Sequence, residues 1–530
     1  MNEPTLEAER APADQPTQAE RKQKEYLVLC GVVSLAAAVI AIYSQTNACA
    51  FDEGFHMLAA QLIKAGKRPY LDFFFAQAPL NAWWNAAWMW VFGESWRTAH
   101  AMASAATVGA VFLSADFVFV RVALPRWRLA VSLAAVLLIG CNWLLVEFAP
   151  IAQAYALCLF LMVVSFRFAV SAVGRKGVLL TGLAGCAASA SAASSMLTVP
   201  VAPVVLLWIL VYNRVGSRLA RLAAFTVGAA VPFLPVFWLF LKAPFPVRFG
   251  IIDFHLYYRQ VEWSDSLRHN LELMASWIDS SHALFLGLLA VAGFLYIARA
   301  SHWERERRAE FYLCGWMAAG LIAYLCYVRP TFPQYFCLPV PFVGIPASVG
   351  LYAVGSRLHS PDRPWAPFSV LAFLLCFGLA KEIYDDRTSH TWPEYEEVAR
   401  KVDQVTPRNG MLLADEFAYF MTRRTPPSGL EYDDSHKLRL SAKDSAALHI
   451  FTRPELVRRV KAGVFDTVET CDDDDDAELD DLGLPDVYAQ KAEIQGCKVY
   501  WERKPPAAAG AEPWPQEELC RAACSLRRSK

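Results

Sequence analysis

Asp52 and Glu53 stand side by side directly after an apolar run, Tyr26 to Tyr43, that is long enough to cross a bilayer. Ionised carboxylates beside hydrocarbon are costly, which makes such a pair a functional candidate, and the chemistry a carboxylate offers is that of a general base. His56 follows Asp52 by four residues and Glu53 by three, within reach of both on one helical face. The competing reading is structural: Asp52 caps a helix and Glu53 complements its dipole. A third acid on the same loop, Asp72, tips the balance toward function.

The element that must position the pair is a helix. Phe55, Leu58, Ala59, Leu62 and Ile63 fall on one stripe, and Lys64, Gly66 and Pro69 end it. The pattern predicts an amphipathic helix lying along the membrane interface. Residues 79–93 are apolar but short for a span, and Trp83, Trp84, Trp88 and Trp90 suit the headgroup level. They read as a second interfacial helix, with a short span as the alternative.

Of the 530 residues, 55% are hydrophobic and 19% charged, and the apolar ones come in runs, so the chain reads as a polytopic membrane protein. The 50 Lys and Arg balance 51 Asp and Glu and sit in short loops, which argues against nucleic-acid binding. Most cysteines, such as Cys141, Cys158 and Cys314, lie in apolar runs as small hydrophobes, and no spacing supports a zinc site.

Further runs fall at 98–120, 129–148, 152–171, 178–197, 200–213, 222–243, 281–298, 310–328, 335–355 and 364–383. Ser189, Ser191, Ser194 and Ser195 allow close helix packing. Basic clusters at Arg121/Arg126/Arg128, Arg175/Lys176, Arg214/Arg218/Arg221, Arg299/Arg305/Arg307/Arg308 and Arg357/Arg363 all become cytoplasmic if 79–93 does not span. That rule favours about 11 spans in a range of about 11–13. It puts residues 1–25 in the cytoplasm as a disordered tail, and loops 51–97, 244–280 and 329–334 outside with everything after 384. Ala48-Cys49-Ala50 resembles a signal-peptidase site, but the run before it exceeds a signal peptide's apolar core, so the chain reads as uncleaved there.

After 384 the composition turns polar. Helices are expected at 392–405 and Arg453–Ala462, and strands at Met411–Ala414, Phe465–Thr470, Tyr488–Ile494 and Cys497–Glu502, the last two flanking a Gln495-Gly496 hairpin signal. This is a small α/β domain, 388–503, followed by a disordered tail, 504–530. Cys471 and Cys497 sit at strand edges and are expected close in space, where an extracytoplasmic disulfide can form. The acidic stretch 472–481 lacks the spacing of a calcium loop and reads as solvated.

The stretch FDEGFHMLAAQLIKAGKRPYLDFFFAQAPL resembles the first external loop of GT-C glycosyltransferases that use polyprenyl-phosphate sugars, the protein O-mannosyltransferases and lipid A aminoarabinose transferases. The matching residues are Asp52, Glu53, Gly54, Gly66, Pro69, Tyr70, Asp72, Phe73, Phe74, Pro79 and Leu80, and FPQYF at 332–336 is similar to the family's late external loop. The resemblance implies a GT-C-like transmembrane catalytic domain over 26–384 in the inner (plasma) membrane. It implies transfer of a sugar, with inversion, from a polyprenyl-phosphate donor to a lipid, glycan or protein acceptor outside the cytoplasm.

Asp52 is then the base, with Glu53 and Asp72 as second-rank acids. Sidedness nominates Arg259 and Arg329 for the donor phosphate, then Lys67, Arg68 and His255, with His56, Gln77, Tyr258, Gln334 and Tyr335 as further binding candidates. Some lipid-linked-sugar enzymes hold Mg2+ or Mn2+ at such an acid; the resemblance implies none here. The rivals are a lipid-linked glycan polymerase or ligase, a lipid-sugar transporter, whose ionisable residues belong at mid-span, and a structural protein with a partner-binding C-terminal domain. Asp116, Glu147 and Arg167 are exceptions among nearly uncharged spans, and each lies toward a predicted end.

Overall fold

The computed structural model describes residues 18–50, 52–173, 177–213, 215–258, 266–279, 281–328, 330–388, 391–471 and 482–505. Arg259, Arg329, the acidic stretch 472–481 and the outer parts of both tails lie outside these residues.

Each predicted apolar run is helical. The first helix, α1 (Gln18–Thr46), starts earlier than expected. Residues 18–25 belong to it rather than to a disordered tail, because Gln, Ala, Glu, Arg and Lys are strong helix formers that extend a helix already nucleated by the apolar run. The helices α2 (Glu53–Lys64), α3 (Leu80–Phe92) and α4 (Trp96–Arg121) follow. The run 129–148 is not one helix: it breaks at Cys141 and Asn142 into Arg128–Gly140 and Trp143–Phe148.

Six helices among the described residues are long and apolar enough to cross a membrane: Gln18–Thr46, Trp96–Arg121, Tyr155–Val173, Arg218–Lys242, Arg305–Tyr327 and Trp365–Asp385. Shorter apolar helices, including Arg128–Gly140, Val178–Ser194 and Ala283–Arg299, pack among them. The apolar window of Tyr155–Val173 is 67% buried and that of Trp365–Asp385 only 11%, so the first is central and the second peripheral. Leu35, Ile42, Leu179, Leu207, Phe237, Phe373 and Phe377 face outward, as lipid-facing side chains do. Small residues let backbones touch: a Cβ on Gly228 would collide with the Gly182 carbonyl oxygen, and Ser189 Oγ donates to Ala229 O at 2.6 Å.

The α3 helix is 13 residues, so about 20 Å long, well short of a hydrocarbon core of about 30 Å. Trp90, Val91 and Phe92 are exposed at its end.

The C-terminal sheet has four strands, β1 (Leu412–Leu413), β2 (Thr467–Thr470), β3 (Tyr488–Ile494) and β4 (Cys497–Arg503), in the order β1-β2-β4-β3. The first pair is parallel and the others antiparallel. Gln495 (φ 51°) and Gly496 (φ 80°) make the left-handed two-residue turn that matches strand twist. Cys471 and Cys497 form a disulfide, their Cα atoms 4.0 Å apart. Thr391 and Glu394 form a capping box that starts the helix Trp392–Val405 where the sequence predicts it.

Candidate active site

Asp52 occupies the N-cap of α2 with helical dihedrals (φ −65°, ψ −6°), and its side chain makes no capping hydrogen bond. Capping needs an extended backbone that turns the side chain over the first amides, and Asp52 lacks it. Its side chain is exposed.

Glu53 is the opposite. It is 0% exposed, and both carboxylate oxygens are engaged. Oε1 accepts from His100 Nε2 at 2.6 Å and from the Ala152 amide at 2.7 Å, while Oε2 accepts from the Trp392 indole at 2.9 Å. The Ala152 carbonyl in turn accepts from Asn81 (3.0 Å) and Asn85 (2.8 Å) on α3. The expected acid is thus an enclosed crosslink, because three donors leave it no approach for a substrate.

The helix α2 is buried from Glu53 through Leu62, not along one stripe. The C-terminal domain covers its other face. A Cβ on Gly54 would lie 2.6 Å from the Phe417 ring, so only glycine admits this approach. Gln61 Nε2 donates to Phe420 O at 3.2 Å and to Glu94 at 3.1 Å, and Lys64 pairs with Glu94 at 2.8 Å.

His56 is 3% exposed, and burial pushes its imidazole down to about 4. It is therefore a neutral ring at neutral pH, 3.4 Å from the Asn81 amide, and lacks the charge expected of a phosphate ligand. Asp72 folds back on Arg68, accepting from its backbone amide (2.7 Å), Nε (2.8 Å) and a terminal nitrogen (2.9 Å). The hydrogen-bonded guanidinium holds this carboxyl below its usual range, which makes Asp72 a poor base.

Between them Tyr70 is buried with φ 65°, the left-handed region that costs a non-glycine residue about 1–3 kcal/mol. Its amide donates to Phe73 O at 2.9 Å and its hydroxyl to the Gln77 carbonyl, closing residues 70–77 into a knot. The Gln77 side chain is half-buried.

Residues from later in the chain seat this knot. The π-helix Phe249–Tyr258 approaches so closely that a Cβ on Gly250 would collide with the Phe75 carbonyl oxygen, and His255 Nε2 donates to Ala76 O at 2.8 Å. His255 thus spends this nitrogen on the backbone. Tyr432 rests on Phe55 (4.8 Å), Phe74 (5.8 Å) and Phe254 (6.1 Å), and Lys67 Nζ lies 4.0 Å from the buried Glu431. The helix Ser266–Asp279 clamps the late loop: Asn270 accepts from the Thr331 amide (2.9 Å) and donates to Val328 O (2.7 Å). Tyr335 is buried beside Tyr155 (6.5 Å) and Phe332 (5.5 Å), with Gln334 half-buried next to it.

The three predicted loops therefore meet in two pairs, 52–80 with 249–258 and 266–279 with Val328 and Thr331. Sequence reasoning missed His100, Trp392, Phe417, Glu431 and Tyr432, whose partners are remote in the chain.

The chain path has parallels among solved structures. It is similar to ArnT from Cupriavidus metallidurans bound to undecaprenyl phosphate, at TM-score 0.63 and 16% identity over 90% of this chain and 97% of that one. The apo form of that ArnT gives TM-score 0.65 at 16% identity, over 90% and 98%. The chain shares the fold of that ArnT. The oligosaccharyltransferase AglB from Archaeoglobus fulgidus in complex with an inhibitory peptide and a dolichol-phosphate gives TM-score 0.51 at 10% identity over 84% of this chain and 69% of that one. No protein-family model and no curated sequence matches. Within this fold the acid pair at the start of α2 is divided, Asp52 exposed and Glu53 enclosed.

Proposed function

We propose that the protein is a membrane glycosyltransferase that moves a sugar from a polyprenyl-phosphate donor to an extracytoplasmic lipid, glycan or protein acceptor, with Asp52 as general base. The observation that carries this reading is the contrast between adjacent acids, Asp52 exposed and uncapping beside the enclosed Glu53, in a fold like that of an ArnT crystallised with undecaprenyl phosphate.

In this reading an Asp52 oxygen takes the proton of the acceptor hydroxyl. The freed oxygen attacks the anomeric carbon, the bond from that carbon to the phosphate oxygen breaks, and the electron pair stays on the lipid phosphate. Attack opposite the leaving group inverts the anomeric centre. Lys67, with Arg68, Arg259 and Arg329, supplies positive charge for the departing phosphate. Arg68 divides its charge with Asp72. The isoprenoid tail lies among the apolar helices, and the reaction belongs on the outer face of the plasma membrane.

No metal takes part, so added EDTA leaves transfer unchanged. The transporter reading wants ionisable groups able to exchange a load at mid-span. Asp116 and Arg167 instead pair with each other at 2.7 Å.

The test is lipid analysis of a deletion strain. A polyprenyl-phosphate sugar accumulates and its acceptor goes unmodified; lipids identical to wild type overturn the reading.

A further inference from the structure

We propose that Trp392 and His100 are positioning residues for the reaction, acting through Glu53 to hold the Asp52 carboxylate in place, so that the C-terminal domain is a working part of the catalytic centre. The inference rests on Asp52 being the base.

Glu53 follows Asp52 directly, so any rotation of the first turn of α2 carries Asp52 with it. That turn is tied at one carboxylate to three separate parts of the chain, and through one of them to a fourth. His100 on α4 donates to Oε1 from Nε2 (2.6 Å) and approaches Ser44 O at the end of α1 with Nδ1 (2.5 Å). Both ring nitrogens face oxygen acceptors, and Glu53 faces three donors, so ring and carboxylate fix each other's orientation. Both residues are 0% exposed. The Ala152 amide brings the segment after Trp143–Phe148 to the same oxygen (2.7 Å).

The third donor comes from the C-terminal domain. Trp392 is 1% exposed, stacked on Trp96 (5.4 Å, 11° between planes) and packed against Phe417 (4.9 Å). Its ring is held on two sides, so the indole N–H is aimed at Glu53 Oε2 before any substrate arrives. Without it that oxygen is buried and unsatisfied, and the first turn of α2 gains a reason to rotate.

Trp392→Phe removes the N–H and keeps a ring for the stack. It is measured beside wild type and Glu53→Gln, which keeps the side chain's size but turns an amide NH2 toward one of the donors. Full-length proteins in lipid nanodiscs are assayed for kcat and KM with a polyprenyl-phosphate sugar, for amide exchange across residues 53–64, and for Tm. The expected result for Trp392→Phe is a kcat about 10–100-fold lower with the donor KM within about two-fold, faster exchange confined to the first turn of α2, and a Tm near wild type.

Wild-type kcat in Trp392→Phe, or exchange unchanged in both variants, overturns the proposal. So does a kcat loss that only tracks loss of folded protein. Should wild type itself transfer no sugar, the glycosyltransferase reading fails separately; the exchange data then still decide whether Trp392 orders the turn that carries Asp52.

Discussion

The Lys67 ammonium stands 4.0 Å from the Glu431 carboxyl, and the two belong to different domains. Glu431 is 2% exposed; its Oε2 accepts from the Gly429 amide at 2.7 Å, while its Oε1 takes no hydrogen bond among the described residues. Burial pushes the carboxyl up to about 7, against the pull of the Gly429 amide and Lys67. An acid raised on folding stays protonated in the folded chain while the unfolded chain ionises. Stability is therefore lost as pH rises from the ordinary glutamate range through about 7. The full cost above that range is about 3 kcal/mol. Glu431→Gln should melt like wild type near pH 4.5 and progressively higher than wild type toward pH 8, read from melting curves across that range.

Asp52→Asn separates base from cap. Asparagine caps a helix about as well as aspartate, and Asp52 makes no side-chain capping bond, so melting should not change. Transfer from a polyprenyl-phosphate sugar should fall about 10²–10⁴-fold, the usual contribution of a general base. Near-normal turnover would end the catalytic claim. Asp72→Asn should impair less, because Asp72 already spends its charge on Arg68.

Gly54→Ala puts a methyl 2.6 Å from the Phe417 ring. That ring has little room to retreat, stacked on Tyr395 at 4.3 Å and against Trp392 at 4.9 Å. Overpacking of this kind costs about 1–3 kcal/mol. The expected outcome is a lower Tm and proteolytic release of the C-terminal domain at protease levels that leave wild type intact.

Cys471 and Cys497 should be recovered as one linked peptide under non-reducing digestion, because the structure joins them in a disulfide. Cys497→Ser should lower stability by about 2–4 kcal/mol. A reporter active only outside the cytoplasm, fused at residue 504, should light up. A silent reporter in a well-expressed fusion would place Asp52 in the cytoplasm too, since α2 packs on this domain.

What the sequence announced was local. Apolar runs, the Thr391–Glu394 cap, the Gln495-Gly496 turn and the strand edges at Cys471 and Cys497 each carry their signal within a few residues. The segment 68–77 was legible only in part: Arg68 and Asp72 are i,i+4 partners, but nothing local says that Tyr70 adopts a positive φ. The role of Glu53 was illegible because its partners lie 47, 99 and 339 positions away. A lone histidine in an apolar helix and a tryptophan after a cap have no periodicity that points at each other. The stripe on α2 was real, yet one face was assigned to water when Phe417 and Tyr432 cover it.

The bond from Trp392 to Glu53 also sets a clock on biosynthesis. At about 5–20 residues per second, the ribosome delivers the tryptophan about 20–70 s after the glutamate it must meet. Through that interval α2 exists without its lid, carrying an acid whose final donor has not been made. A nascent chain interrupted anywhere before residue 392 can insert most of its helices and still lack the indole that completes the hydrogen bonding of Glu53.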